Sequence, residues 1–398
     1  MSILFEPIKI KNTEIKNRFV HSAIYEGMAL ESGEITDDIV KRYRTMAKGQ
    51  VGLIIPGYFY VHESGRAMKY QSGIHQDEMI IGIRRLVKAV HEQESKIILQ
   101  LVHAGMQTEK KLIDSLPLAP SASIRHPQTF IKPRELSEDQ ILELIQAFGT
   151  AAARAVEAGA DGIQLHAAHG YLINQFLSPF FNQRKDNWGG TAENRFRFLK
   201  KTILQVRKNM PENMPLLIKL NTFDHTPRPG ITPEMAVTYA DMLKALPVDG
   251  LELSCGTGTF SYMNMCRGEM PQKEILQSLP FWMRPFGKII TNKLVGKYDL
   301  SAPYNLDAAK RIRPVIPNMA LLLVGGMRKK SEMEEIVQNG CADFISIARP
   351  FLREPFLIKK FMEGKTESAS CTSCNRCLAA VVNQIQVRCY YNGFPDTN

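Results

Sequence analysis

Eight short runs of almost unbroken apolar residues punctuate the chain, at positions 19–25, 51–55, 96–103, 162–166, 216–221, 250–254, 320–324 and 343–348. Between most of them lie longer stretches in which apolar residues recur every three or four positions, at 76–92, 137–158, 191–208, 233–245 and 330–339. The first pattern predicts strands and the second amphipathic helices. Ser137 ahead of a helical run is an N-cap, and Gly159 behind it is a stop. Strands without polar alternation belong to a parallel sheet covered on both faces. Eight of them, separated by helices, predict an α/β fold of the closed (β/α)8 barrel type. A doubly wound dinucleotide fold is disfavoured, because no G-x-G-x-x-G follows the first strand. Two long excursions, 104–134 and 255–318, are expected over the C-terminal face of the barrel. The alternation stops near Gly364, so a barrel domain over 1–365 and a short Cys-rich tail over 366–398 are expected.

Apolar residues make up 44% of the 398, enough for a large core. No apolar run reaches the roughly 18 residues that span a bilayer. Glu6 and Pro7 interrupt the N-terminus before a signal-peptide core can form. A soluble cytoplasmic protein with no membrane partner is therefore expected. The net charge is +10, from 50 Lys and Arg against 40 Asp and Glu, but the basic residues are scattered. That distribution suits a solvated basic surface better than a nucleic-acid partner.

In a barrel the C-terminal strand ends converge on one mouth. Here they carry Tyr25 and Glu26, Gly57 and Tyr58, Gln100 and His103, His166, His169 and Tyr171, Lys219 and Asn221, Ser254, Gly325 and Gly326, and Arg349. Polar groups crowd the ends while the strand bodies stay apolar. Gly325-Gly326 after the seventh strand and Arg349 after the eighth suit a phosphate, with backbone amides and a guanidinium as donors. "HAAHGY" after the fourth strand admits three readings: a metal site completed by His103 or His21, an acid–base set, or hydrogen-bonded structural residues.

The stretch "DGIQLHAAHGYLINQFLSPFFNQRKDNWGGTAENRFRF" resembles the central signature of the Old Yellow Enzyme family of FMN-dependent ene reductases. "LFEPIKI…NR" near the start, "QLVHAG" on the third strand and "VGG…ARPF" near the end are similar to flanking motifs of that family, so the resemblance runs from Leu4 to Phe351. It implies an NAD(P)H-dependent oxidoreductase that binds FMN and reduces activated C=C bonds of small α,β-unsaturated carbonyl compounds. By the resemblance, Gln100 and Lys219 face the flavin pyrimidine, and Lys219 stands where arginine is usual. Gly325, Gly326, Ala348 and Arg349 hold the phosphate. Ala23, Ile24, Tyr25 and Gly57 lie against the ring, with Tyr25 where relatives carry Cys, Thr or His. His166 and His169 bind the substrate carbonyl oxygen, and Tyr171 is the proton donor. A homo-oligomer is also envisaged.

Of seven cysteines, Cys371, Cys374, Cys377 and Cys389 form a C-x2-C-x2-C-x11-C tail. Four thiolates at such spacing suit a [4Fe–4S] cluster, and zinc or an idle thiol set are the alternatives. The tail is similar to that of the 2,4-dienoyl-CoA reductases and trimethylamine dehydrogenases, whose further nucleotide-binding domains are not expected here. A dienoyl-CoA or amine oxidoreductase and an RNA-modifying flavin barrel are the rival readings.

Overall fold

Strands that are apolar on both faces need cover inside and out, and a closed sheet wrapped by helices supplies both. The computed structural model describes residues 2–298, 300 and 303–396. Its eight barrel strands are β1 Phe19–His21, β2 Leu53–Ile54, β3 Lys96–Val102, β4 Gly162–Ala167, β5 Leu216–Asn221, β6 Gly250–Ser254, β7 Ala320–Val324 and β8 Phe344–Ile347. All neighbouring pairs are parallel, and β8 returns to β1 through Ser346↔Val20 and Ile347↔His21, which closes the barrel.

Because side chains alternate across a strand, the barrel interior is built in layers two residues apart. The lower layer is apolar: Val20, Leu53, Ile98, Leu217, Leu322 and Phe344 form one buried cluster. There is no room for side chains at Gly162 and Gly250, where an added Cβ would lie 2.8 Å from Ile98 and from Leu217 respectively. A hairpin of Ile8–Ile10 and Thr13–Ile15 plugs the bottom, its Ile10 and Ile15 joining the same cluster. Two residues further along the strands the interior turns polar, with Ser22, Gln100, Gln164, Lys219, Glu252 and Ser346, all buried.

Outside, helices such as Glu138–Glu157, Ala192–Lys208 and Pro233–Lys244 bury their apolar stripes against the sheet in the main core. Ser137 caps the first of these in a reciprocal capping box with Gln140, and Gly159 ends it at φ +86°. Elsewhere the boundaries differ from the sequence expectation. β1 stops at His21 rather than at residue 25, and the freed backbone of residues 22–25 turns along the mouth. The second strand breaks at Pro56, which lacks a ladder N–H, and pairing with β3 resumes at Phe59–Tyr60. The tail carries an unforeseen helix, Arg376–Val382, whose Ala380 packs in one cluster with Tyr25, Val387 and Tyr390.

Two histidines are locked in neutral form by this packing. Burial is the main cause, pulling His21 down to about 4 and His103 to about 3. Below about pH 6.5 the unfolded chain takes up protons that these buried rings refuse, so their contribution to stability is complete above that pH and drains away as the pH falls toward 4. For His21 the loss is on the order of 3 kcal/mol. The melting temperature should fall steadily from pH 7 to pH 4.5, and His103→Asn should flatten that slope in a thermal-melt series.

Candidate active site

The polar layer is the floor of a cavity of about 360 Å3 at the C-terminal strand ends. Register fixes its chemistry, because in-register neighbours on a closed parallel sheet point to the same side. Gln100 opposes Gln164, His166 opposes Lys219, and Lys219 opposes Glu252. Gln100 Nε2 donates to Gln164 Oε1 at 2.6 Å, and Gln164 Nε2 donates to Glu252 Oε2 at 3.0 Å. Lys219 Nζ sits 3.3 Å from Glu252 Oε2 and donates to Ser22 Oγ at 2.9 Å. Lys219 is 3% exposed and Glu252 0%, so the pair is desolvated and its worth rests on these hydrogen bonds.

Above this floor stands an aromatic and imidazole cluster. The His166 ring centroid lies 5.0 Å from that of His169 and 4.8 Å from that of Tyr171. Tyr171 donates its hydroxyl proton to Tyr58 Oη at 2.9 Å. His169 takes φ +62° in the turn, its backbone N–H donating to Asn221 Oδ1 at 3.2 Å and its Nε2 lying 2.7 Å from Ser254 Oγ. Burial drives both imidazoles well below their usual range, and Lys219 adds to the effect, so both are neutral at pH 7. Burial also pushes the Tyr171 phenol up to about 12, leaving it protonated. His166 Nδ1 accepts the Ala168 N–H at 3.3 Å, which leaves its proton on Nε2.

At the opposite end of the cavity the chain gathers cations. Gly325 and Gly326 adopt φ +123° and +84°, and a Cβ on Gly325 would press against the Tyr304 ring at 2.6 Å. Arg349 reaches Arg267 O at 2.8 Å and Asn375 Oδ1. Arg328 donates to Cys371 O at 3.2 Å and Ser373 Oγ at 2.8 Å. Asn375, in the left-handed conformation, donates from Nδ2 to Cys266 O at 2.8 Å and Glu269 O at 3.0 Å. The tail thus positions both arginines.

Of the barrel residues given a role by the family resemblance, Ala23, Ile24, Tyr25, His169, Tyr171, Lys219, Gly325, Gly326, Ala348 and Arg349 line the cavity. Three do not. His166 lies behind the Tyr58 and Tyr171 rings, 2% exposed. Gln100 belongs to the floor layer but is fully buried, bonded to Gln164. Gly57 is turned away, donating its N–H to Glu26 Oε1 at 2.6 Å. Glu252, Arg328 and Asn375 were missed. A charge inside the apolar run "GLELS" was a readable signal for Glu252; Arg328 and Asn375 had none of comparable strength.

Cys371, Cys374, Cys377 and Cys389 meet around a second cavity of about 20 Å3, with Arg349 and Arg353 in its wall. All are free thiols, and burial raises Cys377 to about 12. Among the described residues no three His, Cys, Asp or Glu side chains are placed to hold a metal ion. The four thiols line this small cavity without forming a metal-ligand set among the described residues.

The large cavity fits FMN. A glycine cradle and two arginines serve an anion at one end, and a lysine stands at the other. Gln100 Oε1, Glu252 Oε1 and Ser346 Oγ are buried polar atoms without a partner around the floor, as a polar heteroaromatic ring would require. A barrel with such a mouth defines a flavin-dependent oxidoreductase. The chain belongs to the NADH:flavin oxidoreductase / NADH oxidase family, whose profile matches residues 3–256 and 299–368. It is 36% identical over 357 residues to the NADPH dehydrogenase of Bacillus subtilis (strain 168), covering 89% of this chain and 93% of that protein. It is 33% identical to the NADH oxidase of Thermoanaerobacter brockii, covering 98% of this chain but 56% of the oxidase. The chain thus spans about half the length of this longer relative and of some solved chains that share its fold. An Old Yellow Enzyme homologue from Zymomonas mobilis superposes with a TM-score of 0.72 at 25% identity, over 93% of this chain and 95% of that one. The protein is an FMN-dependent NAD(P)H oxidoreductase with the Old Yellow Enzyme barrel, and no helix among its described residues is long and apolar enough to cross a membrane.

The buried pair generates a stability test. Glu252→Leu alone leaves the Lys219 ammonium without its counter-ion and should cost about 3–5 kcal/mol. The double variant Lys219→Met with Glu252→Leu should cost much less, a contrast read from the urea midpoints of the FMN-free proteins.

Proposed function

We propose that the protein reduces the C=C bond of small α,β-unsaturated carbonyl compounds. The observation that carries this reading is the pairing, on one wall of the cavity, of a neutral imidazole at His169 with the protonated phenol of Tyr171, both above Lys219. Arg328, Arg349, Gly325, Gly326 and Ala348 would hold the FMN phosphate, and Ala23, Ile24, Tyr25 and Lys219 would meet the ring. FMN held there would supply the hydride chemistry between NAD(P)H and the substrate C=C bond.

The remaining work falls to the chain. Charge that builds on the substrate carbonyl oxygen needs N–H donors rather than a general base. With the Ser254 hydroxyl as donor to His169 Nε2, 2.7 Å away, the His169 proton would sit on Nδ1 and be available to that oxygen. His166, with its proton on Nε2, stands 5.0 Å away ring to ring, buried behind Tyr58 and Tyr171, and backs the His169 ring. An N–H donor to the carbonyl oxygen contributes roughly 3 kcal/mol to the transition state. Tyr171 holds a proton for the α-carbon; when that proton turns from Tyr58 toward the substrate, the Tyr58 hydroxyl, 2.9 Å away, can donate to Tyr171 in its place. The aromatic walls exclude water. An amine substrate is less well served, because a cationic Lys219 sits where an ammonium would have to approach.

With 2-cyclohexenone as probe, His169→Ala should lower kcat/KM about 10²-fold while NADPH oxidation by oxygen changes little. Unchanged enone turnover would remove the carbonyl-binding role, and absence of a flavin spectrum after FMN reconstitution would remove the whole reading. Asn375→Ala should weaken FMN about tenfold by releasing Arg349, equivalent to about 1.4 kcal/mol. Fluorescence titration of the FMN-free protein measures this without any turnover.

A further inference from the structure

The excursion after β6 holds two packed helices, Gln272–Gln277 and Arg284–Asn292, preceded on the second by the turn Phe281–Met283. The second helix is packed inside out. Its Gly287 and Thr291, one turn apart, face the molecule: a Cβ on Gly287 would lie 2.5 Å from Leu279, and Thr291 is 6% exposed and bonded to Gln272 at 2.7 Å. Phe286, Ile289 and Ile290, at the i, i+3 and i+4 positions of the opposite face, are 68%, 59% and 63% exposed. Phe281 at 80%, Trp282 at 63% and Val295 at 53% extend the same bare surface. A helix ordinarily turns its large apolar side inward, so six such side chains in fifteen residues mark a contact surface.

Charge identifies the occupant. From Ile275 through Tyr298 the only charged side chains are Arg284, Lys288, Lys293 and Lys297, with no Asp or Glu among them. A second copy of the chain, docked by two-fold symmetry, would bring these same cations together. Tryptophan, phenylalanine and isoleucine interleaved with lysines instead match a segment lying in the headgroup boundary of an anionic bilayer, with the rings sunk in and the ammonium groups on the lipid phosphates. We propose that this helical pair docks the enzyme on the surface of an anionic membrane, without spanning it. Ile275 of the first helix is part of the wall of the FMN cavity, so docking sets the cavity mouth beside the lipid boundary.

The chain contains its own reporter. It has two tryptophans, and Trp188 is buried at 3% exposed while Trp282 stands on the patch. The FMN-loaded protein is mixed with vesicles of phosphatidylglycerol and phosphatidylcholine in equal parts, or of phosphatidylcholine alone. The anionic vesicles should shift Trp282 emission to the blue and float the protein, high salt should reverse both, and neutral vesicles should bind about tenfold less. Phe286→Ser with Ile290→Ser should lose binding about tenfold or more while FMN absorbance and enone turnover stay as in the parent. Flotation without a blue shift would place the contact elsewhere on the protein. No flotation would overturn the proposal outright. Self-association abolished by the double variant, or capture of an acidic protein partner without vesicle binding, would give the face to that occupant instead. Loss of FMN or turnover in the parent protein would fault the enzymatic reading and leave this one standing.

Discussion

Lys219 and Glu252 are in-register neighbours on adjacent parallel strands, and a closed barrel obliges such neighbours to point to the same side. Both face inward, Lys219 at the cavity floor and Glu252 fully buried, so each charge is tolerable only with the other present. The rest of the mouth is arranged around that necessity. Gln164 ties the carboxylate to Gln100, Ser22 receives the ammonium, and His166 and His169 stay neutral partly because the ammonium is near. In the proposed reading the pairing would also moderate the cation offered to the flavin. A lysine in place of the usual arginine gives up a fork of donors, and the carboxylate beside it fixes the single ammonium in one place.

The two ends of the cavity are held by different means. The floor is made by strands whose register admits no slippage. The arginine-rich end depends on a segment outside the strand–helix alternation, because Asn375 and Ser373 fasten Arg349 and Arg328. The family profile stops at residue 368, before these fasteners, so the tail adds support that the matched barrel region does not itself contain.

Much of this was legible in the residues. Continuous apolar runs reported a two-sided sheet, and Ser137 and Gly159 marked helix ends, because caps and periodicity are local and survive in any context. The cavity-lining residues from Tyr25 to Arg349 could be read for a related reason: strand ends in a barrel share one mouth. Depth was not legible. Whether Gln100 and His166 touch the cavity or lie behind other side chains depends on Gln164, Tyr58 and Tyr171, which come from distant parts of the chain. Gly57 was misplaced because its N–H is claimed by Glu26, a contact set by tertiary packing alone. The inside-out helix was equally hidden, since a search for long apolar runs cannot see a face.

The hairpin beneath the barrel has a consequence for traffic. With Ile10 and Ile15 seated among Val20, Leu53 and Phe344, the interior is a vessel with a sealed base and a single opening. Water, protons and substrate must all arrive through the same mouth and in some order. A flavin seated there would then act as a stopper as well as a reagent, isolating the Lys219–Glu252 pair from bulk solvent for as long as it stays bound.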